Sequence, residues 1–269
     1  LARHSESLEF EDQSILTASD FDVTDLFSGK AAAEAKKKLD KEKTIAEEKK
    51  NAEDEVELEK WRKRNKIKMD ALLELQSMVG FEIPKKYVDD LTSKINLVEK
   101  GLLSKKVLNT CMHLILTGSP GTGKTTLARL LHKILYGVGI LRKNVFIERN
   151  ATQLKGQYVG QTTPKVLDAF ASAEGGTLFL DEAYALSATN PCGKRDSFAN
   201  DALATLLTEA ENRRTDVFVV LAGYADKMQV LLDADPGLRR RFPTFLNLPN
   251  YTAPELAKMA SIAAMKGLI

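Results

Sequence analysis

The chain has 269 residues, 43% hydrophobic and 28% charged, enough to bury a substantial core, so one principal domain with extensions is expected. Lys and Arg number 39 against 37 Asp and Glu, a formal net charge of +2 that by itself gives no argument for nucleic acid, and no apolar run reaches membrane-spanning length. Cys111 and Cys192 have no metal or disulfide spacing, and His4, His113 and His132 have no metal-ligand spacing, so a reducing, intracellular setting is expected, cytoplasmic by default with nucleus or plastid left open.

Residues 1–29 scatter Phe10, Ile15, Phe21, Leu26 and Phe27 among acids without a sustained period, which predicts disorder or a docking segment. Leu1 as first residue reads as a fragment of a longer chain, whose missing start would hide any signal peptide. Residues 30–71 are rich in Ala, Lys and Glu with opposite charges three or four positions apart, as in Glu34 and Lys38, and predict an exposed charged helical linker. Leu39, Ile45, Val56, Leu58 and Trp61 are too sparse for a heptad seam, so a solvated helix is preferred to a coiled coil.

Apolar density begins at Leu72 with Leu73, Leu75, Met78 and Val79, and opens an α/β domain expected over 72–250. A helix over 85–100 ends at Gly101. Strands then alternate with helices: strands over 111–117, 145–149, 177–181, 217–222 and 244–248, helices over 124–136, 164–173 and 197–212. This alternation predicts a parallel sheet between helical layers, with ligand at the carboxyl ends of the strands. A further helix after Tyr251, with Pro254 in its first turn, reads as the start of a truncated helical lid over 251–269.

The most informative stretch is Gly118-Ser119-Pro120-Gly121-Thr122-Gly123-Lys124-Thr125, a full G-x-x-x-x-G-K-[ST] between the strand His113 to Thr117 and the helical spacing of Leu127, Leu130, Leu131, Ile134 and Leu135. Glycines let the backbone N–H groups face phosphates, and the helix that follows turns its positive end to the same anion. Lys124 would reach the β- and γ-phosphates and Thr125 would ligate Mg²⁺, with Thr126 in the same nucleotide-binding turn. An ordinary glycine turn is the competing reading, and the complete motif in its strand and helix context outweighs it. Downstream, Thr177-Leu178-Phe179-Leu180 ends in Asp181 and Glu182, a Walker B pattern in which Asp181 holds the Mg²⁺ shell and Glu182 polarises the attacking water. A solvated turn or helix start is the alternative for this acidic pair.

The P-loop, Asp181-Glu182, Gln157-Tyr158-Val159-Gly160, Leu221-Ala222-Gly223-Tyr224-Ala225-Asp226 and Pro236-Gly237-Leu238-Arg239-Arg240-Arg241-Phe242 together resemble the AAA+ ATPases. Within them the pattern is most similar to the CbbX/CfxQ group, which includes red-type Rubisco activases and relatives of stage V sporulation protein K. The resemblance covers roughly residues 72 to 269. It implies ATP hydrolysis with Mg²⁺ in a ring of copies, a hexamer, that remodels a protein client whose identity it does not fix.

The resemblance further assigns Tyr158 and Val159 to a central-pore loop, where an aromatic and a β-branched side chain grip polypeptide by dispersion. On residues alone Tyr158 also reads as a half-buried aromatic between a strand and a helix. Arg239, Arg240 and Arg241 read on residues alone as solvated charge on a loop before the last strand. The resemblance makes Arg241 the arginine finger for a neighbour's γ-phosphate, with Arg239 second and Arg240 an addition of this chain. It places Val79 and Gly80 against adenine, although packing against the helix reads equally well, and it leaves the residue orienting water beside Glu182 open, since Ala222-Gly223-Tyr224 stands at the sensor 1 position. A sensor 2 arginine is expected beyond Ile269. Two rival classes are a nucleotide-regulated scaffold, disfavoured by the intact Lys124, Glu182 and Arg241, and a DNA-directed motor, disfavoured by Tyr158 and the lack of a basic cluster.

Overall fold

Short runs of Leu, Ile, Val and Phe form five parallel strands: β1 (Leu114–Gly118), β2 (Phe146–Asn150), β3 (Thr177–Asp181), β4 (Phe218–Gly223) and β5 (Thr244–Leu248). Their order is β2-β3-β4-β1-β5. Successive side chains point to opposite faces, and both faces are buried: Leu114, Leu116, Phe179, Val220 and Ala222 on one, Ile115, Leu178, Leu180, Val219 and Leu221 on the other. Burial on both sides is what the centre of a parallel sheet with crossover helices requires, and it explains why β1, β3 and β4 read as near-continuous apolar runs, whereas the edge strands β2 and β5 keep exposed positions.

The computed structural model describes residues 30–102, 113–187 and 196–265. The expectations of disorder over 1–29, a solvated His4, a strand starting at Cys111, a polar loop around Cys192 and the last residues of the lid lie outside the described residues. The chain divides into two compact units, Leu1–Lys60 and Trp61–Ile269. A single helix, α1 (Lys30–Ser77), runs through the boundary and through Leu72, where the sequence analysis opens the domain. No Gly or Pro interrupts it, and it stops just before Gly80 and Phe81, both with left-handed φ (72° and 62°). Residues 54–60, in the first unit, are exposed, as expected of a charged helix.

In the second unit the core is split by the sheet. On one side Ala71 and Leu75 of α1 pack with Val88, Leu91 and Ile95 of α2 (Glu82–Glu99) and with Leu127, Leu131 and Ile134 of α3 (Lys124–Val138). On the other lie α4 (Thr162–Ser172), α5 (Ser197–Asn212), α6 (Ala225–Ala234) and α7 (Pro236–Arg241), contributing Phe170, Leu206, Leu231 and Leu238. A last helix, α8 (Ala253–Met265), follows β5 and buries none of its residues. Among the described residues no helix is long and apolar enough to cross a membrane.

One expectation is corrected. The three arginines do not lie on a loop; they form the last turn of α7. Asp235 caps that helix by accepting from the Gly237 N–H at 2.7 Å, Pro236 presets the first turn, and the arginines complement the negative end of the helix dipole.

Candidate active site

All five strands are parallel, so their carboxyl ends share one edge, and the loops leaving that edge carry the candidate residues. The turn from β1 into α3 depends on glycine at two close approaches. A Cβ on Gly118 would sit 2.6 Å from the backbone O of Leu248, and one on Gly123 would sit 2.6 Å from the Phe81 ring, at φ 87°. The Thr122 hydroxyl donates to Ser119 O at 2.8 Å and ties the loop to itself. Gly123 precedes α3 with no side-chain cap, and the first-turn N–H groups of a helix have no intrahelical acceptor, so the loop ends in donors aimed outward.

Lys124 lies across its own loop, donating from Nζ to Gly118 O at 2.9 Å and Ser119 O at 2.8 Å. Burial lowers its pKa and the charge of the Asp181 carboxylate opposes that shift. Thr125 is half-buried and Thr126 exposed. Among the described residues no three His, Cys, Asp or Glu converge as a metal cage. The oxygen donors available, the Thr125 hydroxyl and the Asp181 carboxylate, suit Mg²⁺, which takes one or two protein ligands and fills its octahedron with phosphate and water.

Glu182 is the most constrained residue of the site. Its backbone is left-handed (φ 53°, ψ 39°), one of two non-glycine residues with positive φ among those described, and strain of this kind concentrates at functional positions. Its N–H donates to Asp181 Oδ1 at 2.8 Å. Its carboxylate accepts from Asn150 Nδ2 at 2.8 Å on one oxygen and from the Tyr184 hydroxyl at 3.0 Å on the other. The Asn150 bond first, then that of Tyr184, hold the Glu182 pKa below the usual carboxylate range, with the Lys227 charge adding to them. Asn150 is oriented by its own capping box: its Oδ1 accepts from the Thr152 N–H at 2.9 Å and its N–H donates to Gln153 Oε1 at 3.2 Å, which leaves Nδ2 for Glu182. Neither Asn150 nor Tyr184 belongs to a motif legible in the sequence. The only local signal for Asn150 is its turn chemistry; its partnership with the acid arises because β2 pairs with β3 in a register that sets Asn150 beside Asp181.

Beside the P-loop a cleft is lined by Gly80, Phe81, Thr122, Leu248, Tyr251 and Glu255, among others. Phe81 and Tyr251 stack with ring centroids 6.4 Å apart, and the Tyr251 hydroxyl lies 3.5 Å from Thr122 O. Gly80 lies on this cleft, whereas the half-buried Val79 is not among its lining residues.

Tyr158 and Val159 stand out from the loop between β2 and α4, 69% and 93% exposed. That exposure overturns the reading of Tyr158 as a half-buried packing residue. Gln161 Oε1 accepts from the N–H groups of Gln157 and Tyr158 at 3.3 and 3.4 Å, and Thr162 Oγ1 from that of Gly156 at 3.0 Å, so the backbone is drawn in and the two side chains are left outside. Of the α7 arginines, Arg239 is half-exposed and paired with Asp233 at 3.1 Å. Arg241 is more buried, its Nη1 donating to Gly237 O at 3.4 Å and its Nε 3.8 Å from Glu211 of α5.

Residues 114–250 match the model of the ATPase family associated with various cellular activities (AAA). The chain is 40% identical over 202 residues to the ESX-3 secretion system protein EccA3 of Mycolicibacterium smegmatis, covering 74% of this chain and 32% of that protein. It is 34% identical over 218 residues to the stage V sporulation protein K of Bacillus subtilis, covering 78% and 66%. It is 40% identical over 175 residues to the chloroplastic ribulose bisphosphate carboxylase/oxygenase activase of Cyanidioschyzon merolae, covering 65% and 56%. The chain thus spans from about a third to about two thirds of the length of these relatives. A sporulation protein of the K type and a Rubisco activase are the kinds of relative that the CbbX/CfxQ resemblance implies.

Proposed function

The chain belongs to the AAA family and carries its ATPase domain, and from that premise we propose that it hydrolyses ATP in a ring of copies and uses the cycle to remodel a protein client. The observation that carries the catalytic half is the restrained Glu182 carboxylate, ionised and held at both oxygens at the edge where the P-loop opens. Backbone N–H groups of 121–125 and Lys124 bind the phosphates. Thr125 and Asp181 would hold Mg²⁺, which would supply neutralisation of phosphate charge. Glu182 takes the proton of the water that attacks the γ-phosphorus. Gly80, Phe81 and Tyr251 give the base an apolar cleft.

The remodelling half rests on Tyr158 and Val159, whose exposure leaves them available to a client. An aromatic and a branched side chain grip through dispersion without reading sequence, which suits a motor that moves along polypeptide. The activase name of the Cyanidioschyzon relative and the secretion-system name of the Mycolicibacterium relative support work on other proteins. Arg241, with Arg239 second, is the proposed finger that completes a neighbour's site.

Nucleotide binding and turnover measured on two variants test the catalytic half. Lys124→Ala is expected to abolish ATP binding, because the compensating charge is gone. Glu182→Gln is expected to bind ATP as wild type does and to lose turnover by about 100-fold or more, the contribution typical of a positioned general base. Wild-type affinity in Lys124→Ala, or wild-type turnover in Glu182→Gln, would overturn the assignment.

A further inference from the structure

Asn150 explains one of the two bonds to Glu182; the other comes from a residue that neither the P-loop nor the Walker B pattern includes. A single 3₁₀ turn over 183–186, entered through the left-handed backbone of Glu182, brings Tyr184 back over the acid two residues before it. The ring that carries the hydroxyl is itself held by the start of α6. Its centroid lies 5.6 Å from that of Tyr224, at 34°, and the Lys227 ammonium sits 4.6 Å from the Tyr184 ring and 5.1 Å from the Tyr224 ring. At the end of β4, a Cβ on Gly223 would meet Tyr184 Cδ1 at 2.9 Å, so the ring lies directly on the strand end. Tyr224 also reaches toward the P-loop, its ring 5.9 Å from Lys124 Nζ.

We propose that Tyr184 is a positioning residue for Glu182, and that β4 and α6 act on the acid through it: Gly223, Tyr224 and Lys227 hold the ring, and its hydroxyl holds the carboxylate. Two donors, one on each oxygen, remove the carboxylate's freedom to rotate about its last bond, while each oxygen keeps a lone pair for water. The phenol stays a donor throughout the working range, since burial and then the bond to Glu182 push its pKa up to about 12. Any displacement of α6 would therefore be felt at Glu182 through an aromatic contact and one hydrogen bond. The inference rests on Glu182 being the general base.

Tyr184→Phe tests it in the full-length protein, because the substitution keeps the ring and its packing and removes only the hydroxyl. The expected result is a fall in kcat of about tenfold, the scale of one lost hydrogen bond to a charged group. Nucleotide Kd should stay within about twofold of wild type by the same arithmetic. Unchanged kcat would overturn the assignment, as would a rise in kcat. A joint fall in melting temperature, nucleotide affinity and kcat would also overturn it, since that marks packing alone. Glu182→Gln measured alongside separates the two claims: turnover retained there refutes Glu182 as base and the positioning with it. Turnover lost there, beside an unaffected Tyr184→Phe, refutes the role of Tyr184 only.

Discussion

His113, at the entry to β1, is a buried imidazole in a fixed tautomer. Nε2 donates to the Ala210 carbonyl at 2.9 Å and Nδ1 accepts from the Val219 N–H at 3.1 Å, so the ring joins α5 to β4 only while it is neutral. Burial lowers its pKa, and burial likewise lowers that of His132, which bonds Thr177 and Asn144. Unfolding returns each ring to a pKa of about 6.5, so the unfolded chain takes up protons first as the solution is acidified. The resulting stability is whole above that pH and is lost as pH falls toward the depressed native value, at most about 1.4 kcal/mol per pH unit for each histidine. Urea unfolding at pH 7.5 and pH 5.5 should show this loss, and His113→Asn should show a shallower one; equal slopes would contradict it. The same contrast governs what was legible at this scale. Lys124, Thr125 and Asp181 are recognisable as candidates because the motifs that name them are local spacings. Asn150 and Tyr184 depend on which strand lies beside which and on one left-handed residue, and neither is written in a window of neighbouring residues.

Strands β3 and β5 and helix α5 coincide with the predicted 177–181, 244–248 and 197–212, because apolar runs and helical spacing there are bounded by turn residues or charge. Helices α6 and α7 are short and carry motif residues, so their spacing reads as site chemistry before it reads as helix, although the Asp235-Pro236 start is a standard helix signal. Composition divides α1 at Leu72, since apolar density changes there while the helix continues to Ser77. Its packing on α3 shows what composition cannot: a Cβ on Gly137 would lie 2.5 Å from Lys68 Cβ and 2.8 Å from Arg64 O, and the Arg64 guanidinium continues the contact over the Tyr136 ring at 4.9 Å and to Arg142 O at 3.1 Å. Alanine is intrinsically the better helix former by about 1 kcal/mol. Gly137→Ala should nevertheless destabilise the protein, by about 1 to 3 kcal/mol, as overpacking a close contact does. A gain in stability would mean that the two helices do not need the glycine.

For the whole molecule, the proposed ring divides each ATP site between two copies. Arg241→Ala and Glu182→Gln should each hydrolyse ATP poorly alone, yet mixed assemblies should recover part of the activity, because some interfaces then join an intact acid to an intact finger. Arg241 also packs on α5 through Glu211, so its variant should lose some melting temperature as well. Arg239, tied to Asp233 on an exposed face, should not, and a larger turnover defect in Arg239→Ala would move the finger to that residue.

If ATP turnover is coupled to polypeptide through the exposed Tyr158 loop, as proposed, the ATPase should respond to an unfolded protein such as casein. Surface substitutions away from packed features change stability by about 0.5 kcal/mol or less, so Tyr158→Ala should melt with wild type and keep its basal rate. Wild type and Tyr158→Phe should turn over faster when casein is added, since the aromatic face supplies the grip, while Tyr158→Ala should not respond. Equal stimulation of Tyr158→Ala, or no response from wild type, would contradict the account.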